Sequence, residues 1–422
     1  MISPHASPSP RHDLPHRFSA PPGDVALILA GLALALMPLA MWLANRSAPL
    51  CLAISALACL VMLWRQGWPL ADRLRLLRAL RAPLALPLAL LVAFAALSIV
   101  WSHRPLASLF ALGELLVPLL SGVIVALVLP PRAPRWLGWA LAVSVLAAVT
   151  LAFIELHMGT GFRQKAGLQT MTFIFNRSLI CAMLAAIPLA GWLVAQKRPA
   201  MELGLMFVLA LTVATSESGA ARLGLVVALA AMIASAMAPR LALIAASIGL
   251  VALVSFAPVQ GEIAERLIPA STHQQLQDSH SRDRVEIWLS FGEAIRAQPL
   301  LGAGFGTSPT LDKHPVASAV SVERRAMLAV GHPHSAPMQA WVETGIIGAA
   351  CLAFAGLALL WRLRTLPARD LAPRLALFAM AFAVASVAHG AWQGWWIAAL
   401  AVGAVWLWTG LGRDDQANRG LS

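Results

Sequence analysis

Charged residues are scarce in this sequence: Asp, Glu, Lys and Arg together make up 12% of the 422 residues. A soluble globular domain carries about 25%, so the shortage excludes a soluble enzyme and a charge-rich disordered protein. Hydrophobic residues make up 59%, and the mean hydropathy is +0.75. Because the arginines lie in short gaps between apolar runs, the net charge of +12 indicates membrane topology rather than a nucleic-acid partner. We therefore predict an all-α, polytopic membrane protein.

Cysteine is scarce too, and the sequence lacks the motifs of a metal site. The hydrophilic segments contain no Asp-x-Asp motif, and the histidines of the longest segment have no established ligand spacing. We therefore predict no metal and no cofactor. The four cysteines all lie inside apolar runs without C-x-x-C spacing, which favours buried thiols: Cys51, Cys59, Cys181 and Cys351.

Twelve apolar runs are long enough to suggest membrane-spanning helices, each of which needs about 20 apolar residues. One long hydrophilic gap interrupts the series, between the ninth and tenth runs. The sequence therefore predicts a bundle of about twelve transmembrane helices with one large loop. The runs are 25–44, 49–64, 83–101, 107–129, 136–156, 172–195, 201–215, 222–238, 241–258, 336–361, 374–390 and 393–411.

The arginines and lysines predict the orientation of these helices. With a cytoplasmic N-terminus, eighteen of them fall in cytoplasmic segments and five in the short gaps of the opposite side. Both termini are then cytoplasmic, as a disordered tail at 1–23 and a short tail at 412–422. Helices 1–9 occupy 24–258, the outer loop 259–335, and helices 10–12 residues 336–411.

The segment 68–82 has the pattern of a short amphipathic helix. Leucines at 70, 74, 77 and 80 share one helical face, and the arginines lie mostly elsewhere. Such a helix binds the surface of anionic lipid. We therefore expect membrane lipids among the partners of the chain.

Two features of the outer loop suggest a ligand site. Ser281–Gln298 has helical periodicity and should end near Pro299, where a run with three glycines begins. In such a turn the backbone N–H groups can hold an anion, and Gly304 lies at its centre.

The second feature is a histidine at the start of the tenth span. His334 lies at the membrane surface on the first turn of a helix whose N-terminus faces outward, where it can accept a proton or contact a phosphate. Glu343, further along the same helix, can orient His334 or pair locally. Gly345 and Gly348 offer a smooth face for helix packing.

These residues resemble a known family. His334-Ser335, nine residues and then Gly345-x-x-Gly348 are similar to the signature of the O-antigen ligase and O-antigen polymerase superfamily. Twelve helices with one large loop between the ninth and tenth also resemble the ligases, and the motif-specific part covers about 172–350. Further similar motifs are Trp101-Ser102, Phe175-Asn176-Arg177, Arg284-x-x-x-Trp288 and Pro299-Leu300-Leu301-Gly302-x-Gly304-x-Gly306.

The resemblance implies a glycosyltransferase of the bacterial inner membrane with a periplasmic active site. Family members transfer a glycan from undecaprenyl pyrophosphate without a metal. In ligases the acceptor is the lipid A–core saccharide, and in polymerases it is another lipid-linked repeat unit. In place of a metal, arginines would stabilise the pyrophosphate leaving group, because guanidinium binds phosphate bidentately and stays charged.

The resemblance also implies roles for individual residues. His334 and Arg284 are the expected catalytic residues, with His334 as base or pyrophosphate contact. The expected donor-cavity and pyrophosphate residues are Arg222, Arg177, Glu343 and Gly304. Arg177 lies below the outer end of its span, where it can instead form a structural pair with Glu114.

One departure from the family keeps other functions open. The family usually has Ser-Arg-Gly-Ala at the outer end of the seventh span, and this chain has Ser216-Glu217-Ser218-Gly219-Ala220-Ala221-Arg222. Either Arg222 takes the role from a shifted position or the role is lost. The alternatives are therefore a polymerase of the same superfamily, a transporter or flippase, and a catalytically inactive assembly subunit.

Overall fold

The computed structural model describes residues 24–129, 134–269, 271 and 281–409, and within them the regular structure is entirely helical. The tails predicted at 1–23 and 412–422 lie outside the described residues. In chain order the α-helices are α1 (Val25–Ala35), α2 (Met37–Leu43), α3 (Ala48–Arg65), α4 (Leu70–Leu80), α5 (Ala85–Ser98), α6 (Pro105–Val128), α7 (Arg135–Met158), α8 (Gly161–Lys165), α9 (Phe175–Ala195), α10 (Pro199–Thr215), α11 (Gly219–Met237), α12 (Pro239–Ser255), α13 (Gln260–Leu267), α14 (Ser281–Ala297), α15 (Val322–Arg325), α16 (Ala336–Leu363), α17 (Ala368–Val387) and α18 (Gly394–Thr409).

The apolar helices confirm the membrane character of the chain. Among the described residues, seven helices are long and apolar enough to cross a bilayer, and three bent pairs raise the number to ten. The bent pairs join α1 to α2, α4 to α5 and α12 to α13. Two further apolar helices, α10 and α18, are shorter. Each of the twelve predicted runs coincides with a helix, but a count of twelve spans stays a prediction.

Proline at the first turn sets the start of many helices. It occupies the N1 or N2 position of α3, α6, α10, α12 and α16. Proline is tolerated there because the first N–H groups of a helix have no partner within it. The starts of these helices are thereby fixed within a turn.

Helix α9 forms the centre of the bundle. Of its apolar stretch 83% is buried inside the protein, against 28–44% for the other long apolar helices. It packs against α2, α7, α10, α17 and α18. Arg177, near the start of α9, therefore lies in the middle of one end of the bundle.

The described residues of the hydrophilic segment 259–335, which are 259–269, 271 and 281–335, form a cap at that end, which we call the loop side. The predicted helix exists as α14, and its residues Val285, Trp288, Leu289 and Ile295 are buried as the periodicity predicts. They belong to an apolar core that also contains Leu311, Val316 and Leu328 of the loop and Met338 and Val342 of α16. The cap is therefore packed onto the membrane helix that follows it.

At the opposite end, the predicted amphipathic helix is present as α4. Its leucines are exposed on the protein, Leu70 to 70% and Leu80 to 64%. An exposed row of leucines beside arginines fits a helix that lies on a membrane surface.

One buried arginine ties the loop-side ends of several helices together. Arg163 is 3% exposed and lies against the rings of Trp42 and Phe175, with its Cζ 5.7 and 5.4 Å from the ring centres. Its guanidinium donates to the carbonyls of Trp42, Leu43 and Gln169 at 2.7, 3.2 and 2.6 Å. Two of these are carbonyls at the C-terminal end of α2, where helix carbonyls lack partners. Arg163 therefore has a structural role.

We predict that Arg163→Ala lowers the thermal midpoint of the detergent-purified protein. Three charged hydrogen bonds are lost, and at about 1.5 kcal/mol or more each the cost exceeds that of a surface substitution. Lys165→Ala is the matched control, because Lys165 is exposed on the same short helix. Equal midpoints for the two variants would contradict the structural role.

Candidate active site

The glycine-rich run after α14 docks onto a break in α16. Gly345 lies inside α16 with φ +60° and ψ −160°, a conformation that only glycine adopts without strain. The break frees backbone groups that pair with the run, as Ile346 N–H donates to the Pro299 carbonyl at 2.9 Å. On the other side of the break, Ala303 N–H donates to the Val342 carbonyl at 2.8 Å. The loop is thus joined to the membrane helix by backbone hydrogen bonds.

The glycine-rich turn does hold an anion, and that anion is the protein's own Glu343 carboxylate. The Gly306 N–H donates to Oε2 at 2.7 Å and the Ser308 N–H to Oε1 at 3.3 Å. The Gln339 amide donates to Oε1 at 2.9 Å and the Trp392 indole to Oε2 at 2.8 Å. All four partners donate, as an ionised carboxylate requires. Glu343 is fully buried, at 0% exposure.

This arrangement bears on three expectations from the sequence, of which the donor-site roles of Glu343 and Gly304 stay predictions. Both Glu343 oxygens accept hydrogen bonds from the protein, which is the local pairing expected as one alternative, and this pairing positions the loop. Gly304 (φ +100°) is required by packing, because a Cβ there would lie 2.9 Å from Cα of Ser102. Gly345 breaks α16 instead of forming a smooth face with Gly348, and Gly348 lies against the side chain of Thr344.

Gln339 extends the same network to the turn between α17 and α18. Its carbonyl oxygen accepts the Ala391 N–H at 2.7 Å while its amide donates to Glu343. Trp392 in the same turn also donates to Glu343. One carboxylate therefore connects the glycine-rich run, α16 and the turn that carries His389.

His334 is fixed in one tautomer by that turn. Its Nδ1 lies 2.8 Å from the Ala388 carbonyl, which can only accept, so Nδ1 carries the proton in the neutral ring. Nε2 has no partner among the described residues and is left with a free lone pair. The backbone of His334 is in the left-handed region with φ +52°, which is uncommon for a non-glycine residue. The structure thus holds a potential proton acceptor in a strained, defined position.

A hydrogen bond of Trp288 holds α14, which carries Arg284, next to the segment that carries His334. The Trp288 indole donates to the carbonyl of Pro333, the residue between His332 and His334, at 2.9 Å. Arg284 lies one turn earlier on the same face of α14. It is half-buried, and desolvation holds the pKa of its guanidinium below the usual value. The prediction that Arg284 and His334 lie together is supported by this geometry.

Arg177 and His389 complete the cluster around Trp395. The Arg177 Cζ lies 5.4 Å from the ring centre of Trp395, and the His389 ring meets the same indole edge-on at 4.7 Å. The ring of His332 lies 4.3 Å from that of His334. Among the described residues no ion pair joins Arg177 to Glu114, so the structural pairing considered for these two is not formed.

The three histidines are neutral at pH 7. Desolvation lowers the pKa of His332 to about 4, with smaller contributions from the charges of His334 and Arg177. Desolvation and then Arg177, His332, His334 and Arg284 lower the pKa of His389 to about 3. The pKa of His334 is also lowered, first by desolvation and further by Arg284, against the opposing hydrogen bond to Ala388. Because their charges act on one another, the three histidines and the two arginines, Arg177 and Arg284, form one electrostatic site.

The positive charge of this site has no internal counterion. Within the part of the chain that the structure describes, neither Arg177 nor Arg284 forms an ion pair with a carboxylate. Arg46 is a third cation close enough to act on Arg177, and it too lacks such a pair. Desolvated cations without partners are costly. The site is therefore suited to a ligand with several negative charges.

Arg222 makes no contact with this constellation among the described residues. It is exposed on the first turn of α11, and no hydrogen bond or ring contact joins it to the histidines within the described residues. Glu217, near the position of the family's arginine, accepts the Thr172 hydroxyl at 2.9 Å with both oxygens. Glu217 thus fixes the turn before α11 against the start of α9.

Sequence reasoning missed His389, Gln339 and Trp395. The apolar run 374–390 predicts one span that includes His389, but α17 ends at Val387 and leaves His389 in the following turn. A signal was present, since His389, Gly390 and Gln393 interrupt two apolar runs on the side that carries His334.

No set of three His, Cys, Asp or Glu side chains suited to a metal occurs in the described part, and metal independence stays a prediction.

Comparison with known proteins gives one family. Residues 170–353 match the model of the family described as O-antigen ligase. The match confirms the resemblance to the O-antigen ligase and polymerase superfamily and includes Arg177, Arg222, Arg284, Gly304, His334 and Glu343. His389 and Trp395 lie outside it. No curated protein matches the chain.

We predict that Glu343→Ala detaches the loop from α16. The change leaves four buried donors without an acceptor, and each costs about 1–3 kcal/mol. The thermal midpoint should fall, and trypsin should cleave the loop at Arg324 or Arg325 faster than in the unchanged protein. Glu262→Ala is the control, because Glu262 forms only a partly exposed ion pair with Arg296, at 2.7 Å. An unaltered midpoint and cleavage rate in Glu343→Ala would refute the role.

Proposed function

From the match of residues 170–353 to the O-antigen ligase family, we propose that this chain transfers a glycan from undecaprenyl pyrophosphate to a saccharide acceptor. The reaction takes place at the loop side of the bundle, on the periplasmic face of the bacterial inner membrane. The lipid A–core saccharide is the proposed acceptor, as in a ligase. The single observation that carries the proposal is a cluster of desolvated cations, without counterions, around an imidazole of fixed tautomer.

The cations fit the donor's diphosphate. Arg284 and Arg177 approach the site from the loop and from the central helix, so they can contact a diphosphate from two directions. Guanidinium groups bind phosphate oxygens through paired N–H donors. Their fixed positive charge stabilises the negative charge that develops on the leaving group.

His334 fits the part of a general base. Its Nδ1–H is held by the Ala388 carbonyl, and Nε2 is free to take a proton. The lowered pKa keeps the ring neutral and able to accept at pH 7. In the proposed step the acceptor hydroxyl oxygen attacks the anomeric carbon, and Nε2 takes the hydroxyl proton. The bond from the anomeric carbon to the diphosphate oxygen breaks, and its electron pair leaves with the diphosphate.

The orientation is inferred from charge. Most arginines and lysines of the short segments lie on the side away from the cap, which predicts that the cap is outside the cytoplasm. A lipid-linked glycan reaches such a site from within the bilayer, and a saccharide acceptor reaches it from the periplasm.

We predict that His334→Ala lowers the transfer rate about 10²–10⁴-fold and Arg284→Ala about 10²–10³-fold. Both are measured with the purified full chain, a lipid-linked glycan and lipid A–core. His157→Ala is the control for the histidine, because the Nδ1 of His157 also pairs with a backbone carbonyl, Phe153 at 2.8 Å, outside the cluster. Arg282→Ala is the control for the arginine, since Arg282 is exposed on the same first turn of α14.

The pH profile separates a base from a structural histidine. Below the pKa of His334 the ring is protonated and cannot accept a proton, so the acid limb should lie below pH 6.5, the usual value for histidine. Arg284→Gln removes a positive charge that lowers this pKa, so the limb of the residual activity should move to higher pH. Full activity in both His334→Ala and Arg284→Ala would remove these residues from the catalytic assignment, whereas no transfer by the unchanged protein would favour a transporter or an inactive assembly subunit.

The lipid-linked intermediates of a deletion strain distinguish a ligase from a polymerase and so identify the acceptor. Loss of long glycan from lipid A while lipid-linked polymer accumulates identifies a ligase. Accumulation of single lipid-linked repeat units identifies the polymerase alternative.

A further inference from the structure

A second site lies at the end of the bundle away from the cap. The first turns of α5 and α12 and the last turns of α16 enclose an open groove of about 1030 Å³. The walls of this groove are apolar. The large side chains that line it are exposed in the protein, even though the surface there is concave. They include Leu86, Leu90, Ile244, Ile248, Phe354 and Trp361, which are 51–66% exposed.

The polar groups of the groove are gathered at one end. Arg240 at the start of α12 and Arg364 just after α16 line this end, together with Thr365. Among the described residues that line the groove, Ser247 is the one other polar side chain, and its hydroxyl donates to the Leu243 carbonyl at 2.8 Å. The remainder of the groove therefore presents only hydrocarbon.

The two arginines are positioned but not neutralised. The Arg364 Cζ lies 3.6 Å from the ring centre of Trp361, and its Nη1 donates to the Trp361 carbonyl at 3.1 Å. Among the residues described, neither Arg240 nor Arg364 forms an ion pair with a carboxylate. Arg240 also lies at the N-terminus of α12, where helix N–H groups favour an anion.

The length of the groove corresponds to one leaflet. From Phe354 to Arg364 along α16 is about 15 Å at 1.5 Å per residue. The hydrocarbon of one leaflet is also about 15 Å thick, half of about 30 Å. Acyl chains can lie along the apolar wall while a headgroup reaches the arginines.

We propose that this groove binds an anionic phospholipid of the leaflet on the side away from the cap. The headgroup phosphate contacts Arg240 and Arg364, and the acyl chains fill the space between α5, α12 and α16. Since the arginine-rich side is the predicted cytoplasmic one, the lipid belongs to the cytoplasmic leaflet, where anionic lipid interacts with basic residues at helix ends. The proposal does not depend on the proposed function.

The test uses tryptophan fluorescence of the full chain in detergent micelles. Phosphatidylglycerol with brominated acyl chains is added, and the quenching that is lost in Trp361→Phe is assigned to Trp361. We expect this quenching of Trp361 to require roughly thirtyfold less phosphatidylglycerol than brominated phosphatidylethanolamine, because two arginines contribute about 1 kcal/mol each and about 1.4 kcal/mol is a factor of ten. The double variant Arg240→Gln/Arg364→Gln should remove that preference.

Two further variants make the result specific. Arg362→Gln/Arg369→Gln removes the same charge from exposed positions outside the groove and should keep the preference. Ala358→Phe keeps both arginines and narrows the groove, so it should weaken the quenching of Trp361 by both lipids. Thermal midpoints check that each variant is folded.

Several results would overturn the proposal. Equal quenching of Trp361 by the two lipids in the unchanged protein would remove the headgroup preference. If the Arg362→Gln/Arg369→Gln variant lost the preference for phosphatidylglycerol to the same extent, the preference would come from general surface charge and not from the groove. If Trp361 were not quenched and the chain were dimeric by light scattering, a second copy of the chain would occupy the groove in place of lipid.

Discussion

The structure depends on the burial of one carboxylate, that of Glu343, in the backbone of a glycine-rich turn. Two N–H groups of the turn, an amide and an indole donate to it, so the four donors come from three parts of the loop side: the turn, α16 and the turn between α17 and α18. A buried charge with all its hydrogen bonds satisfied fixes relative positions strongly, because losing any partner leaves a desolvated group unpaired. The break at Gly345 allows the turn to approach α16 closely enough for this bonding.

The charge distribution of the active-site cluster follows from that arrangement. Because Glu343 is consumed by the turn, it does not neutralise the arginines, and Arg284 and Arg177 stay unpaired beside three neutral imidazoles. The positive potential of the two arginines is therefore available to a ligand. The groove at Arg240 and Arg364 repeats the principle at the other end of the bundle, where unpaired guanidinium groups border hydrocarbon. The chain thus has two clusters of guanidinium groups without ion pairs among the described residues, and we propose that one binds lipid-linked substrate and the other bulk lipid.

Much of this could be predicted from sequence, for identifiable reasons. Long apolar runs predict the helices, and the periodicity of 281–298 predicts α14, because burial follows spacing along one helix. The meeting of Arg284 with His334 was inferred from family resemblance. By contrast, Glu343, Gly304 and Gly345 were assigned to substrate or helix packing, since sequence does not show that a glycine-rich turn folds back onto a carboxylate of a later helix. His389 was hidden inside an apolar run, and its relation to Arg177 arises only from packing of α9 against α18.

The most direct test of the account is an experimental structure of the full chain with a polyprenyl diphosphate bound. The account predicts that diphosphate oxygens lie within hydrogen-bond distance of the guanidinium groups of Arg284 and Arg177, with Glu343 still enclosed by the glycine-rich turn. A diphosphate bound at Arg222 away from His334, or one held by the N–H groups of Gly306 and Ser308 in place of Glu343, would contradict it.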